Sequence, residues 1–346
     1  MRITKSVRKL EAYTPGEQPK ARRAVKLNTN ENPYPPSPAC AEALRSFDIE
    51  RLRKYPDPVF TDLRTELARL NGATPEQVFI GNGSDEILAL AAKAFVENDE
   101  AIGSLDPSYS LYKTLAAIRG VKWLGFADPF RAKLDPVSLF LWTNPNAPTG
   151  TFVDPARLAD FAKGFRGVLL IDEAYADFAR ANAMALATRA SNRNVIVMRT
   201  FSKSYSLAGL RVGYAVGPQD LIEALYKVKD SYNVDALAQA VALAAVRDQN
   251  WMRTNARKVV ASRTRFSAAL EDRGWDVLPS EANFVFVRPP ARAKAADLFA
   301  ALRERNIFVR YFPGRLTGNR LRITIGTEPE LNKLVKTLDE LVPEAR

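Results

Sequence analysis

The chain has 346 residues, no histidine and a single cysteine, Cys40. That excludes Ser-His and Cys-His nucleophiles, imidazole acid/base chemistry, histidine or cysteine metal sites and any intrachain disulfide. The length suits two domains, 47% apolar with 26% charged residues suits a globular chain, and an excess of 11 positive charges points to anionic partners.

The basic residues are scattered among acids from Arg2 to Arg346, with no aromatic-interleaved basic block. The excess therefore reads as solubility plus local pockets for phosphate and carboxylate ligands, with no nucleic acid. Residues 1–10 are basic but lack an apolar stretch of signal-peptide length, and no run is long enough to span a membrane. The expectation is a cytoplasmic protein, without a metal, whose chemistry runs on Lys, Asp, Tyr or a cofactor.

In chain order, residues 13–38 are proline-rich and predict an ordered extended arm. An apolar strand at 78–80 runs through Gly81-Asn82-Gly83-Ser84-Asp85-Glu86 into a helix over 84–98, with Ile87, Leu88, Ala91 and Phe95 on one stripe. Short apolar runs at 121–126, 138–142, 167–171 and 194–198 predict strands. Between them, 155–165 places Leu158, Phe161, Ala162 and Phe165 on one helical face. The pattern is that of a mainly parallel sheet between crossover helices. An alanine-rich stretch over 234–273 predicts one or two long helices. Strands at 275–278, 284–288, 307–310 and 321–325, with helices at 295–305 and 328–341, predict a smaller α/β layer. The division is an arm at 1–44 joining the small domain, a large domain at 45–235 and a small C-terminal domain at 236–346.

Ligands of parallel α/β sheets lie beyond the carboxyl ends of the strands. Thr143-Asn144-Pro145-Asn146-Ala147-Pro148-Thr149-Gly150 follows the strand at 138–142, and Asp172-Glu173-Ala174-Tyr175 the strand at 167–171. Arg199-Thr200-Phe201-Ser202-Lys203, with Arg211 farther on, follows the strand at 194–198. Taken singly these are ordinary: a loop lysine, an aspartate at a helix N-cap, a tight turn capped by Ser84. Together they are the groups that hold pyridoxal phosphate: a lysine for the aldehyde, an aspartate for the pyridinium nitrogen, and Ser, Arg and backbone N–H groups for the phosphate. The Gly81–Glu86 turn supplies an anion cradle at a helix start. It lacks the Gly-Lys-Ser/Thr ending of a nucleotide loop and the third glycine of a dinucleotide fingerprint, which argues against ATP and NAD.

Asn28-Thr29-Asn30-Glu31-Asn32-Pro33, the glycine turn, Asp106-Pro107-Ser108-Tyr109, Asn144 to Gly150, Asp172 to Tyr175, and Thr200 to Lys203 with Arg211 together resemble the fold-type I pyridoxal-phosphate aminotransferases. More narrowly the chain is similar to the histidinol-phosphate aminotransferase family, from Tyr13-Thr14-Pro15-Gly16 to Leu321-Arg322-Ile323-Thr324. The resemblance implies an α/β fold with a large sheet domain and a smaller α/β domain. Lys203 is then the Schiff-base lysine, Asp172 lies under the ring nitrogen, Tyr175 reaches the phenolic oxygen and Tyr109 stacks on the ring. Gly83, Ser84, Thr200, Ser202 and Arg211 surround the phosphate, with Asp85 contributing its backbone N–H. Tyr55 reaches the neighbouring subunit's site, which implies a homodimer. Tyr13, Asn30, Tyr55, Arg310 and Arg322 belong to the substrate pocket. The family's asparagine before Pro-Thr-Gly is Ala147 here, so Asn146 or Asn144 takes over its bond, or Tyr175 holds the oxygen alone.

The reaction so implied is transamination with Lys203 carrying both proton transfers, an amino donor such as histidinol phosphate, and 2-oxoglutarate in the second half of a ping-pong cycle. An aminotransferase for aromatic or other small amino acids, or a decarboxylase of a phosphorylated amino acid, would use the same cofactor residues.

Overall fold

The computed structural model describes residues 3, 8, 10, 16–19 and 24–343. In chain order its strands are β1 (Val25–Lys26), β2 (Val78–Gly81), β3 (Ala101–Leu105), β4 (Lys122–Phe126), β5 (Val137–Thr143), β6 (Val168–Asp172), β7 (Val195–Thr200), β8 (Gly213–Val216), β9 (Asp276–Val277), β10 (Phe284–Arg288), β11 (Ile307–Phe308), β12 (Arg310–Tyr311) and β13 (Leu321–Thr324). Seven of them form one sheet in the order β2-β8-β7-β6-β5-β3-β4. Only β8 runs against the others, pairing antiparallel with both β2 and β7.

Side chains alternate across this sheet as the strand period requires. Leu139, Leu141, Leu170, Ile196 and Met198 face one way, into a core closed by the helices Ser84–Ala94, Leu111–Arg119 and Gln219–Val228. Phe140, Trp142, Leu169, Ile171, Val195 and Val197 face the other way, toward the helices Pro155–Gly164 and Ala236–Arg247. With apolar partners on both faces the strands read as continuous apolar runs. On that second face Phe140, Trp142 and Phe161 meet pairwise at 5.0 to 5.3 Å between ring centroids, each pair adding about 1 kcal/mol beyond its area burial.

The second layer is antiparallel, in the order β12-β13-β10-β9, and lies with the helices Ala295–Glu304 and Glu328–Leu341. The arm joins it: β1 pairs parallel with β11, Val25 opposite Ile307. The alanine-rich stretch forms two helices, Ala236–Arg247 and Gln249–Glu271. Asp248 divides them by leaving helical geometry and accepting a hydrogen bond from Trp251 N with its side chain. The strand expected at 307–310 is in fact two, because Ile307 and Phe308 pair with the arm whereas Arg310 and Tyr311 pair with β13. The helix expected over 84–98 stops at Ala94, before Phe95.

Candidate active site

Strands β5, β6 and β7 end beside one another, and the chain carries a polar group past each end. Around these ends lies a cavity of about 800 Å³. Asp172 is the last residue of β6, in register with Thr143 at the end of β5. It is almost fully buried, and burial pushes its carboxyl up to about 6. Two donors oppose that rise, Tyr112 Oη at 2.8 Å on Oδ2 and the Ala174 N–H at 3.1 Å on Oδ1.

Lys203 lies in the turn after β7, partly buried, with Nζ donating to the Thr29 carbonyl at 3.2 Å and 5.8 Å above the centre of the Tyr175 ring. Burial, then the Arg322 guanidinium, pull its ammonium down to about 8 against the attraction of Glu31 and Asp85. Tyr175 packs edge-on against Phe284, and its Oη accepts from Asn30 Nδ2 at 3.0 Å. Asn30 is itself held on three sides. Its N–H donates to Thr324 Oγ1, its Oδ1 accepts from that hydroxyl, and its carbonyl accepts from Asn283.

At one end of the cavity the helix Ser84–Ala94 presents its first turn, where unpaired N–H groups and the helix dipole favour an anion. Gly83 precedes it at φ +78°, and a Cβ there would stand 2.7 Å from Arg211 Nη2, so the guanidinium lies against bare backbone. Arg211 donates to Ser202 Oγ at 3.2 Å and the Ala208 carbonyl at 3.1 Å. Thr200 Oγ1 accepts from the Ser202 N–H at 3.1 Å, which sets the turn. The Asp85 side chain, expected to leave only its N–H at this end, pairs with Arg211 at 3.5 Å and accepts from Tyr109 Oη at 3.3 Å. Tyr109 lines the cavity and meets the Tyr112 ring edge-on at 5.6 Å.

The other end is also cationic. Arg310 and Arg322 reach it from the paired strands β12 and β13, with Phe312 between them, 5.3 and 5.2 Å from the two guanidinium carbons. Arg322 also donates to the Asn28 carbonyl at 2.8 Å.

Two expected residues lie elsewhere. Tyr55 is 80% exposed, stacked on Tyr232 at 4.3 Å and away from its own chain's cavity. Tyr13 lies outside the described residues. Asn146 does not line the cavity: its amide closes the 144–151 loop, donating to the Pro107 carbonyl and Thr149 Oγ1 and accepting from Ser108 Oγ. Asn144 is spent on both backbone groups of Val153. Ala147 is the loop residue that faces the cavity, with Pro148.

The sequence reading did not single out Tyr112, Glu31 or Phe312. Tyr112 follows Tyr109 by three residues at a helix start, the one local sign that it lies under the same site. Behind the site, Glu173 is fully buried and meets Arg199 at 2.8 Å; Arg199 also lies 3.6 Å from Asp177, which accepts from Ser204. This chain of charges links the residue after Asp172 to the residue after Lys203.

The donor set fits pyridoxal phosphate: a depressed lysine, a buried carboxylate and an aromatic wall between an anion cradle and two arginines. Among the described residues there is no cluster of acids and thiols that could hold a metal ion.

The model of the family described as aminotransferase class I and II matches residues 22–338. A histidinol-phosphate aminotransferase of Acetobacter pasteurianus is 45% identical over 97% of this chain and 96% of its own length. Histidinol-phosphate aminotransferase 1 of Burkholderia pseudomallei is also 45% identical, over 97% of each chain. The crystal structure of the histidinol-phosphate aminotransferase of Sinorhizobium meliloti in complex with pyridoxal-5'-phosphate superposes with a TM-score of 0.87 at 27% identity, covering 98% of this chain and 97% of that one. A lysine and an aspartate past neighbouring strand ends, in one cavity with the first turn of a helix, thus occur in a sequence alike from end to end to these enzymes, and the chain belongs to the class I and II aminotransferases and, within them, to the histidinol-phosphate aminotransferase family.

Proposed function

We propose that this chain is a pyridoxal-phosphate-dependent aminotransferase whose amino donor is histidinol phosphate and whose acceptor is 2-oxoglutarate. When bound, pyridoxal phosphate supplies the carbonyl that captures the amine and the electron-withdrawing ring that acidifies the donor's Cα–H. Lys203 would hold the cofactor through its aldehyde, and its amine, once free, would be the base that takes the proton from the donor's Cα and the acid that gives it back. A lysine titrating near 8 is about one-tenth neutral at pH 7, against roughly one part in three thousand for an unperturbed one. Lowering its pKa therefore raises the supply of base by more than two orders of magnitude.

Asp172 pairs with the ring nitrogen and keeps it protonated. Tyr175 and Asn30 hold the phenolic oxygen, and with both loop asparagines engaged elsewhere they are the donors left for it. Tyr109 walls the ring; Gly83, Ser84, Asp85 N–H, Thr200, Ser202 and Arg211 surround its phosphate. Arg310 and Arg322 take the donor's distal phosphate or the acceptor's carboxylate, since a guanidinium matches either with two parallel bonds. Residues 45–235 carry the cofactor side of the cavity, and 1–44 with 236–346 the substrate side.

The single observation that carries this reading is Lys203 Nζ in the same cavity as Asp172, between two arginine-lined ends. The exposed Tyr55 supports a homodimer in which that ring enters the neighbour's site. No helix among the described residues is long and apolar enough to cross a membrane; a cytoplasmic location belongs to the same reading and is tested by cell fractionation. Borohydride reduction of the purified protein followed by peptide mapping places a pyridoxyl group on Lys203, and an adduct elsewhere refutes the assignment. Turnover of histidinol phosphate is then compared with that of phenylalanine and tyrosine. Preference for an aromatic amino acid, or carbon dioxide release without consumption of a keto acid, rejects the proposed donor.

A further inference from the structure

Tyr112 is fully buried at the base of the site, and its hydroxyl touches two groups. It lies 2.8 Å from Asp172 Oδ2 and 2.5 Å from Thr143 Oγ1. The single phenolic proton decides the direction of both bonds. An ionised carboxylate only accepts, so Tyr112 donates to Asp172, and Thr143 must then donate to Tyr112. Ser108 gives its own proton to Asn146 Oδ1 at 2.8 Å and so offers Thr143 only an acceptor, but at 3.3 Å it is the more distant one, and the closer contact to Tyr112 takes the Thr143 proton. The result is a one-way row of donors, Thr143 to Tyr112 to Asp172, running from the end of β5 to the end of β6. Such a row stabilises the ionised form of its last member and strengthens along its length. The other oxygen, Oδ1, is fixed by the Ala174 N–H. With one donor on each oxygen the carboxylate cannot rotate.

We propose that Tyr112 is a positioning residue of the transamination site: its hydroxyl, aimed by Thr143, fixes the Asp172 carboxylate and holds it in the charged form that the cofactor's ring nitrogen requires. This rests on the reading that Asp172 pairs with that nitrogen. The need is plain from the surroundings. Asp172 is buried, and the charges of Asp85, at the start of the helix Ser84–Ala94, and of Glu173, next to it in the chain and behind the site, both disfavour a further negative charge, while Lys203 lines the same cavity. Tyr112 and the Ala174 N–H are the groups that oppose them. The ring of Tyr112 has a separate duty, since its edge meets Tyr109. Tyr112→Phe removes the hydroxyl and keeps that contact.

The test uses the full chain labelled with carboxyl-13C aspartate, without cofactor, with Asp172→Asn assigning the resonance. In Tyr112→Phe the titration midpoint of Asp172 rises by about one unit, a tenfold lower ratio of charged to neutral form, so that the charged fraction at pH 7 falls from about nine-tenths to about one half. In the cofactor-loaded protein kcat falls about tenfold, with KM for the amino donor little changed and the acid limb of the pH profile moved upward. An unmoved Asp172 midpoint overturns the proposal. Should Tyr112→Phe fail to fold, Thr143→Val is read in its place: it removes the donor to Tyr112, and the midpoint rises by about half a unit. No rise there overturns the proposal equally. A missing pyridoxyl adduct on Lys203 would refute the reading of the site itself, whereas an adduct on Lys203 with an unmoved Asp172 midpoint refutes only the role of Tyr112.

Discussion

Holding Lys203 near pH 8 costs folding stability, and the cost has a definite pH dependence. The lysine titrates near 8 in the folded chain against 10.5 for the unperturbed side chain, so between those values the folded state binds fewer protons than the unfolded one. Stability from this group is therefore lowest below pH 8 and recovers as pH rises from 8 to 10.5. The 2.5-unit gap corresponds to about 3.4 kcal/mol. Lys203 is partly exposed, and solvent screening reduces this to about 2 kcal/mol at pH 7. Lys203→Met removes the charge but also the hydrogen bond to the Thr29 carbonyl, a loss of about 1 kcal/mol at any pH. The variant without cofactor is thus more stable than the wild-type protein without cofactor by about 1 kcal/mol at pH 7. That advantage falls by about 1.5 kcal/mol on going to pH 10, where little of the lysine penalty remains. Urea unfolding of both proteins at the two pH values measures this, and taking the difference between them cancels the titration of every other group. A stability difference that stays flat with pH would show that Lys203 is not depressed, and would remove the physical basis for its acting as a base.

Other consequences follow from the same contacts. Arg211→Ala lowers affinity for pyridoxal phosphate by about one to two orders of magnitude while leaving unphosphorylated pyridoxal unaffected; equilibrium dialysis with the two ligands checks this, and an equal loss for both would place the phosphate elsewhere. A mixture of Tyr55→Ala and Lys203→Ala chains, each nearly inactive alone, regains activity on subunit exchange, because one site of the mixed dimer has an intact lysine and receives the unaltered tyrosine. No recovery would show that Tyr55 does not act across an interface. Arg199→Ala leaves Glu173 buried without its cation and lowers stability by about 3–5 kcal/mol, to be read from denaturant unfolding, whereas the pair Arg199→Met with Glu173→Gln loses less. An equal or larger loss in the double variant would show that the charges themselves are not what the network supplies.

Much of the site was legible because its chemistry sits at strand ends. A buried parallel strand is a short apolar run, and the residues just past it lie near the ligand edge; Asp172, the first polar residue after 167–171, lines the cavity, whereas after 194–198 the first is Arg199, which pairs with Glu173, and Lys203 enters the cavity from the turn beyond. Tyr112 was not legible, because its partner is sixty positions away and nothing in a helix start announces which strand lies beneath it. Strands β3 and β8 went unread for a different reason. β3 is Ala-Ile-Gly-Ser-Leu, and its Gly103 is there because a Cβ would meet Phe140 at 2.9 Å, so a packing demand from β5 erased the apolar signal in β3. β8 has only four residues. The division of 307–310 depends on two partners, the arm and β13, that no local pattern reveals. The choice among Asn146, Asn144 and Tyr175 alone was not legible, because spacing in a loop does not say which amide will be consumed in closing it.

The arm has a consequence for how the protein is made. The Thr29 carbonyl holds Lys203, Asn30 reaches both Tyr175 and Thr324, and β1 is held by β11. The large sheet can therefore be complete while the pocket is still open on one side, since its last wall arrives only with β13. A nascent chain on the ribosome would have its seven-stranded sheet in hand for roughly a hundred residues of synthesis before it could grip the vitamin. Firm retention of the cofactor would then mark the moment at which the first and last quarters of the chain have met.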